Sequence, residues 1–299
     1  MIIDSHAHYA HFSFDKEAPR LCAESGGYSS LRLTRDELIE MMRERGIVGV
    51  IEPSIEFENI EKQLDLATKY GDFFKIAVGV HPTRCIRTDW EKREQLESYV
   101  ANECVIAIGE TGLDYHYKRK MQKRELQKAW FSYQLELAHR LGLPLVLHVR
   151  EADRDALKIL RKSREHLHGG VAHCFTGRAR LAKKYTELGF VIGIGGKLLG
   201  DDREAKRLED AVKKLPLDKI VVETDAPLVI PKTVGREVVE SGNQFKKLSN
   251  SSLILPLVIE RIAELRGESV ETVRTAVYEN TLRCFGIEFM KDLLIKVKP

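Results

Sequence analysis

Eight short runs, rich in Val and Ile and poor in charge, recur along the chain at residues 1–4, 47–52, 74–80, 105–110, 144–149, 171–174, 190–194 and 219–223. Runs of this kind fit strands covered on both faces, as in a parallel sheet. Between them lie stretches with helical spacing. Thr34 and Glu37 form a capping box ahead of Leu38, Ile39 and Met42. Ile60, Leu64 and Ala67 mark a second apolar stripe. Trp130, Leu135, Leu137 and Leu141 mark a long helix that Gly142 and Pro144 end. Ala156, Ile159 and Leu160, then Leu181, Tyr185 and Leu188, then Val212 and Leu215 continue the series. Eight strand–helix units before residue 224 predict an α/β fold closed as a single (β/α)8 TIM barrel. An open Rossmann sheet is disfavoured, because no GxGxxG follows a strand and Gly193-Ile-Gly-Gly196 has the wrong spacing. Residues 253–266 and 270–285, the latter capped by Ser269, complete the outer ring. No linker divides the chain, so residues 1–299 are expected to form one domain.

Barrels carry their chemistry where the strands end and the βα connections begin. Two connections are unusually long, residues 9–33 after the first strand and 226–248 after the eighth, and both read as walls or lids over that face. The same face collects metal-ligating side chains. In Asp4-Ser-His6-Ala-His8, alternate residues of an extended chain point the same way, so two imidazoles can grip one divalent ion. Glu110 ends the fourth run, His148 the fifth, His173 the sixth and Asp225 the eighth. Burying that many carboxylates and imidazoles without a cation would be costly. Six ligands with a shared carboxylate suit a pair of ions about 3.5–4 Å apart that activates a hydroxide. The expected arrangement puts His6, His8, Glu110 and Asp225 on one ion. Glu110 then bridges to a second ion carrying His148 and His173. Asp225 is also a candidate general base. Imidazole and carboxylate suit Mg, Mn, Zn or Ni alike.

Composition narrows the class. Hydrophobic residues at 43% and charged residues at 31% describe an ordinary globular chain. No run of about 18 apolar residues offers a membrane span. The first residues lack the pattern of a signal peptide, so a cytoplasmic location is expected. Cys22, Cys85, Cys104, Cys174 and Cys284 are odd in number, scattered and form no CxxC, which argues against a disulfide framework and a cysteine zinc site. A net charge of +3 permits an anionic substrate without requiring one. The basic runs at residues 117–124 and 245–247 read as solvated surface. His11, His116, His139, His166 and His168 read as surface or loop histidines. No obligate protein partner is evident.

The segments DSHAH, GETGLD, HVR, HCFTG and ETDAP, in this order and spacing, resemble the TatD family of metal-dependent deoxyribonucleases, part of the amidohydrolase superfamily. The resemblance runs from Met1 to about Ile287 and includes Tyr278-Glu-Asn280 and Phe285. It implies a (β/α)8 barrel and metal-dependent phosphodiester hydrolysis, with DNA or a nucleotide phosphodiester as substrate and a 3′-exonuclease-like mode. It also draws in His81, in Val80-His-Pro82, as a residue facing the substrate phosphate. Arg150, two residues beyond His148, points to the same side and can pair with phosphate oxygens. Asp114, in the loop expected after Glu110, can orient a ligand or a substrate group, and Lys197 is a further phosphate candidate. The alternative is hydrolysis of another ester or amide in the same site, for instance an aminoacyl-tRNA ester. Relatives of the phosphotriesterase kind carry a carboxylated lysine where Glu110 stands, which favours the TatD side. A non-catalytic binding barrel is the remaining reading. The chain departs from the family pattern in the long 9–33 connection and after Asp225. Where the family tends to carry Arg-Gly and then Asn-Glu-Pro, this chain has Gly235-Arg236 and Ser249-Asn-Ser-Ser252.

Overall fold

In a computed structural model, which describes residues 1–15, 20–21, 31–116, 121–231 and 248–287, eight parallel strands form one sheet in simple sequential order. They are β1 (Ile2–Asp4), β2 (Ile47–Pro53), β3 (Phe74–Val78), β4 (Val105–Asp114), β5 (Leu145–Arg150), β6 (Gly170–Ala172), β7 (Phe190–Ile194) and β8 (Ile220–Val222). Sequential parallel order with a helix after each strand is the barrel topology expected from the alternation. The ring closes between β8 and β1 through backbone hydrogen bonds rather than a regular ladder. Ser5 N–H donates to Val222 O at 3.0 Å, Asp225 N–H to His6 O at 2.8 Å and His8 N–H to Ala226 O at 2.6 Å.

The helices are α1 (Arg35–Glu44), α2 (Phe57–Tyr70), α3 (Gln95–Val100), α4 (Met121–Leu141), α5 (Asp153–Lys162), α6 (Ala179–Thr186), α7 (Arg203–Lys214), α8 (Leu255–Arg266) and α9 (Val270–Phe285). Thr34 and Glu37 do form a reciprocal capping box on α1, and Ser269 accepts from Thr272 N–H at the start of α9. Among the described residues, no helix is long and apolar enough to cross a membrane.

Strand alternation sorts the core into two layers. Ile3, Ile51, Ala77, Ala107, Val146, Val171, Val191 and Val221, one from each strand, fill the barrel interior with Phe285 and Ile287 from the end of α9. Their neighbours Ile2, Val50, Ile76, Ile108, Leu145, Leu147, Ile192, Ile220 and Val222 face outward against the helices. Two residues further along the same inward rows come His148 after Val146, His173 after Val171 and Glu223 after Val221. The interior is therefore a dry plug with a polar layer above it.

Three expectations are corrected. The fourth strand does not stop at Glu110; it continues through Thr111–Asp114, which pair with Leu147–Arg150, so Asp114 lies on a strand and not in a loop. The apolar run ends at Glu110, but ladder pairing does not need apolar side chains. The sixth strand ends at Ala172, one residue before His173. The eighth strand likewise ends at Val222, three residues before Asp225. Within the long connections, Arg20–Leu21 pairs antiparallel with Leu31–Arg32 and parallel with Leu248–Ser249. This joins the connection after β1 to the one after β8. Residues 16–19, 22–30 and 232–247 of these connections, with Cys22, Gly235-Arg236 and the 245–247 run, lie outside the described residues, as does 117–120 of the other basic run. Cys85, Cys104, Cys174 and Cys284 carry free thiols.

Candidate metal centre

Glu110 reaches the mouth because β4 breaks step. Counting by twos from the inward Ala107 puts Gly109 inside and Glu110 outside. The register against β5 shifts between Ile108 and Thr111, one extra residue opposing the partner strand. A bulge of this kind re-aims a side chain, and Glu110 turns into the polar layer, where it is almost fully buried. Its two carboxylate oxygens then face different neighbours.

Oε2 faces the β1/β8 side. It lies 3.6 Å from His6 Nε2 and 3.8 Å from His8 Nε2. Asp225 Oδ1 lies 3.7 Å from His6 Nε2 and 3.3 Å from His8 Nε2, and the two imidazole nitrogens are 3.2 Å apart. Ligand atoms about 2.1 Å from a tetrahedral ion stand about 3.4 Å from one another, which is the spacing found. Oε1 faces the other side. His173 Nε2 is at 2.7 Å and His148 Nδ1 at 2.8 Å, and these two nitrogens are 3.0 Å apart.

Hydrogen bonds fix which ring nitrogen His8, His148 and His81 present. His8 Nδ1 donates to Pro53 O at 3.1 Å, leaving the Nε2 lone pair toward the cluster. His148 Nε2 donates to Asp114 Oδ2 at 3.2 Å, leaving Nδ1 toward the cluster. A carboxylate behind a ligating histidine is the usual support for a metal ligand. His81 is the opposite case. Its Nδ1 accepts from Thr83 N–H at 3.1 Å, so its proton sits on Nε2, 3.3 Å from Glu110 Oε1. His81 thus presents a donor to the cluster, and His8 and His148 present acceptors.

The site draws in positive charge. Burial opposes a charge on His8, but the Asp225 and Glu110 carboxylates outweigh it and raise its pKa to about 9. His148 is likewise pushed up to about 9, against its burial, by Asp114 and Glu110. Burial also disfavours the charged form of Glu110, yet His81, His173 and His148 hold it well below the ordinary carboxylate range. His6 is driven well below its ordinary value by burial and the neighbouring His173, whose ring stacks on it at 3.7 Å. Imidazole nitrogens converge at 3.0–3.2 Å in each group, so each group needs a cation, a proton or a metal ion, between them. The donor set therefore fits divalent metal, with Glu110 common to both groups of donors.

The structure thus brings together all six expected ligands, with His81 and Asp114 in contact with them. Arg150 pairs in register with Asp114 and lines the same mouth, an open cavity of about 970 Å³. All four described non-glycine residues with left-handed φ line it too: Glu151 (54°), Cys174 (46°), Asp225 (57°) and Val229 (48°). Such strain concentrates at functional sites. His139 stacks on His166 and His168 away from the centre, His116 pairs with Glu151, and His11 accepts from Ser13 N–H.

A supporting layer escaped the sequence reading. Asp4 accepts from His6 N–H at 3.2 Å, Thr224 N–H at 3.1 Å, Thr224 Oγ1 at 2.6 Å and Ser252 Oγ at 2.6 Å. Glu52 accepts from Tyr9 N–H at 2.5 Å and Ala10 N–H at 3.0 Å. Glu223 accepts from Cys174 N–H, directly after His173. Glu52 and Glu223 stand at the ends of apolar runs just as Glu110 does, so the positional rule could have flagged them, but it could not say that both turn to backbone amides. The departing segment Ser249–Ser252 belongs to this layer. Asn250 Nδ2 donates to Thr224 O at 2.9 Å, and Ser252 carries Tyr9 and Asp4.

Comparison with known proteins agrees with this architecture. The family model described as TatD related DNase matches residues 3–286. The chain is 29% identical over 287 residues to the metal-dependent hydrolase YabD of Bacillus subtilis, covering 96% of this chain and all of that one. It is 32% identical over 254 residues to the 3′-5′ ssDNA/RNA exonuclease TatD of Erwinia amylovora, covering 85% and 94%. Among solved structures, the TatD homologue YjjV of Escherichia coli superposes with a TM-score of 0.77 at 27% identity over 96% of this chain and 98% of that one. A TatD family hydrolase of Entamoeba histolytica shares the fold, with a TM-score of 0.75 at 22% identity over 95% and 97%.

Proposed function

The chain belongs to the TatD family of metal-dependent hydrolases, and from that premise we propose that its two-ion centre hydrolyses phosphodiester bonds of nucleic acid strands, working from an end as a 3′-exonuclease. The observation that carries this reading is the divided carboxylate of Glu110, one oxygen toward each group of histidines. A phosphodiester offers two non-bridging oxygens to two adjacent ions. The exonuclease mode follows the named activity of the Erwinia amylovora relative.

His6, His8, Asp225 and Glu110 Oε2 would hold one ion, and Glu110 Oε1, His148 and His173 the other. When bound, the pair supplies charge for the phosphoryl oxygens and acidity for an attacking water. Asp225, held in a left-handed turn beside His6 and His8, takes the proton of that water. As the water oxygen bonds to phosphorus, the bond to the leaving oxygen breaks, and the proton on Asp225 is available to that oxygen. His81 Nε2–H, already aimed at the cluster, donates to a phosphate oxygen. Arg150 pairs with another, and Asp114 holds His148 in its ligating tautomer.

The test is a purified protein, a labelled single strand, Mg or Mn, and EDTA and His6→Ala controls. Stepwise release of nucleotides that needs the metal and is lost in His6→Ala is expected. Absence of metal-dependent cleavage, or much faster hydrolysis of an aminoacyl ester, overturns the reading.

A further inference from the structure

In a ring of eight strands, β3 and β7 face each other across the axis. The connection after β3 brings Arg84 and Arg87 to the wall of the mouth cavity, and the connection after β7 brings Lys197 and Arg207 to the wall opposite. The ligands of the metal centre lie between. Lys197 sits in a short 3-10 turn, Gly196–Leu199, with Gly196 and Leu198 buried on either side of it. A Cβ at Gly196 would come within 2.7 Å of Pro231 and 2.9 Å of Ile254, so this backbone is wedged in place and the lysine is aimed rather than free to wander. Arg207 lies in the second turn of α7, a helix that starts at the mouth and whose buried face is Ala205, Leu208, Ala211 and Val212.

Lys197 Nζ forms a long ion pair with Glu204 at 3.6 Å and lies beside Cys174, and among the described residues Arg207 makes no ion pair. Burial works against the charge of Lys197, yet Cys174, Glu204 and Asp225 hold its pKa above the ordinary lysine value. Two cations thus stand beside a centre that the reading above assigns to a phosphodiester, on the side away from Arg84 and Arg87.

We propose that Lys197 and Arg207 form a second phosphate subsite, so that the strand lies across the metal centre with phosphates gripped on both sides of the scissile one. This rests on the phosphodiesterase reading. The group bound is a neighbouring phosphate, either the next internal diester or a terminal monoester, and the substrates below separate the two.

Lys197→Gln, Arg207→Gln and Arg207→Lys are assayed on a dinucleoside monophosphate, on the same compound with a terminal phosphate at either end, and on a trinucleotide. The Gln variants should lose about tenfold more kcat/KM, through KM, on substrates with a second phosphate than on the single-phosphate compound. Arg207→Lys should recover much of the loss. A penalty confined to the terminally phosphorylated dinucleotides assigns the subsite to a monoester; one shared by the trinucleotide assigns it to the internal diester. Equal penalties on all substrates, or none, overturn the proposal. In EDTA, binding of a labelled oligonucleotide should show a salt slope shallower by about 0.7 for each Gln variant, the value for one lost single-strand phosphate contact. An unchanged slope overturns the proposal. If the wild type cuts none of the substrates, the phosphodiesterase reading fails, and these slopes still decide whether the subsite exists.

Discussion

His148 stands on β5, laddered on both sides, and His173 follows β6 with its N–H on Leu147 O at 3.0 Å. His6, His8 and Asp225 stand at the β1/β8 seam, which individual hydrogen bonds close. The two halves of the centre meet at Glu110 yet differ in what holds them. On the ladder side, alternation delivers the ligands, and Asp114 adds one polar support. On the seam side the backbone cannot set the geometry alone, and a buried network of Asp4, Thr224, Ser252, Tyr9 and Glu52 fixes it. Where the sheet is regular, little side-chain scaffolding is needed; where it is interrupted, polar side chains replace the ladder.

The largest expected effect tests whether the halves are joined. Glu110→Gln removes the charge on which both depend, so both ions should be lost. Activity should fall by about 10⁴-fold, equivalent to several kcal/mol of transition-state charge stabilisation. Metal analysis after dialysis checks it, and one equivalent retained at full affinity would show the halves to be independent. Asp225→Asn acts on the seam half alone. It removes a ligand and the proton acceptor, and kcat should drop by about 10³-fold, while an ion at His148 and His173 remains. If that variant empties both positions, the separation drawn here is wrong.

The same contrast explains what could be read from the residues. His148 and His173 were legible because each lies two residues beyond an inward Val in a β run, and period-two alternation carries them inside. His6 and His8 were legible from their own spacing. Glu110 was legible by its place at the end of an apolar run, but its inward turn was not, because that depends on one extra residue against β5. The continuation of β4 to Asp114 was hidden for a related reason. Thr111-Gly-Leu-Asp carries no apolar pattern, and its pairing is set by the neighbouring strand. Glu52 and Glu223 show the limit of the positional argument, since a carboxylate at a strand end can serve a metal or a backbone amide with equal sequence signal. The three-stranded sheet joining the two long connections pairs residue 20 with residue 248 by register, a separation no local pattern reports.

On the ladder side, Asp114→Asn should weaken a single metal equivalent. An amide oxygen can still accept from His148 Nε2, but without the carboxylate's charge the ligating nitrogen is less basic. Support residues of this kind are worth about 10–100-fold in metal affinity. Titration with Zn or Mn should show one weakened step and one unchanged step. Two equally weakened steps would mean that Glu110 transmits the change across the centre.

The smallest effect belongs to the seam network, and it falls on stability more than on the metals. Ser252 Oγ donates to Asp4 Oδ2 at 2.6 Å and accepts from Tyr9 O–H at 2.9 Å, while Ser252 N–H donates back to Tyr9. Ser252→Ala leaves Asp4 with its bonds to Thr224 and His6 N–H, so the carboxylate stays satisfied, but the buried Tyr9 hydroxyl loses its acceptor. Two lost hydrogen bonds amount to about 2 kcal/mol. For a chain of this size that is a fall of about 3 °C in Tm. Because Asp4 holds the His6 amide, added metal should recover part of the loss by binding the native seam, as any ligand of the folded state does. The affinity of the His148–His173 half should stay as in the wild type. A Tm unchanged in EDTA would show that the seam closes through its backbone bonds alone, and the difference between the two halves would then lie only in their ligands.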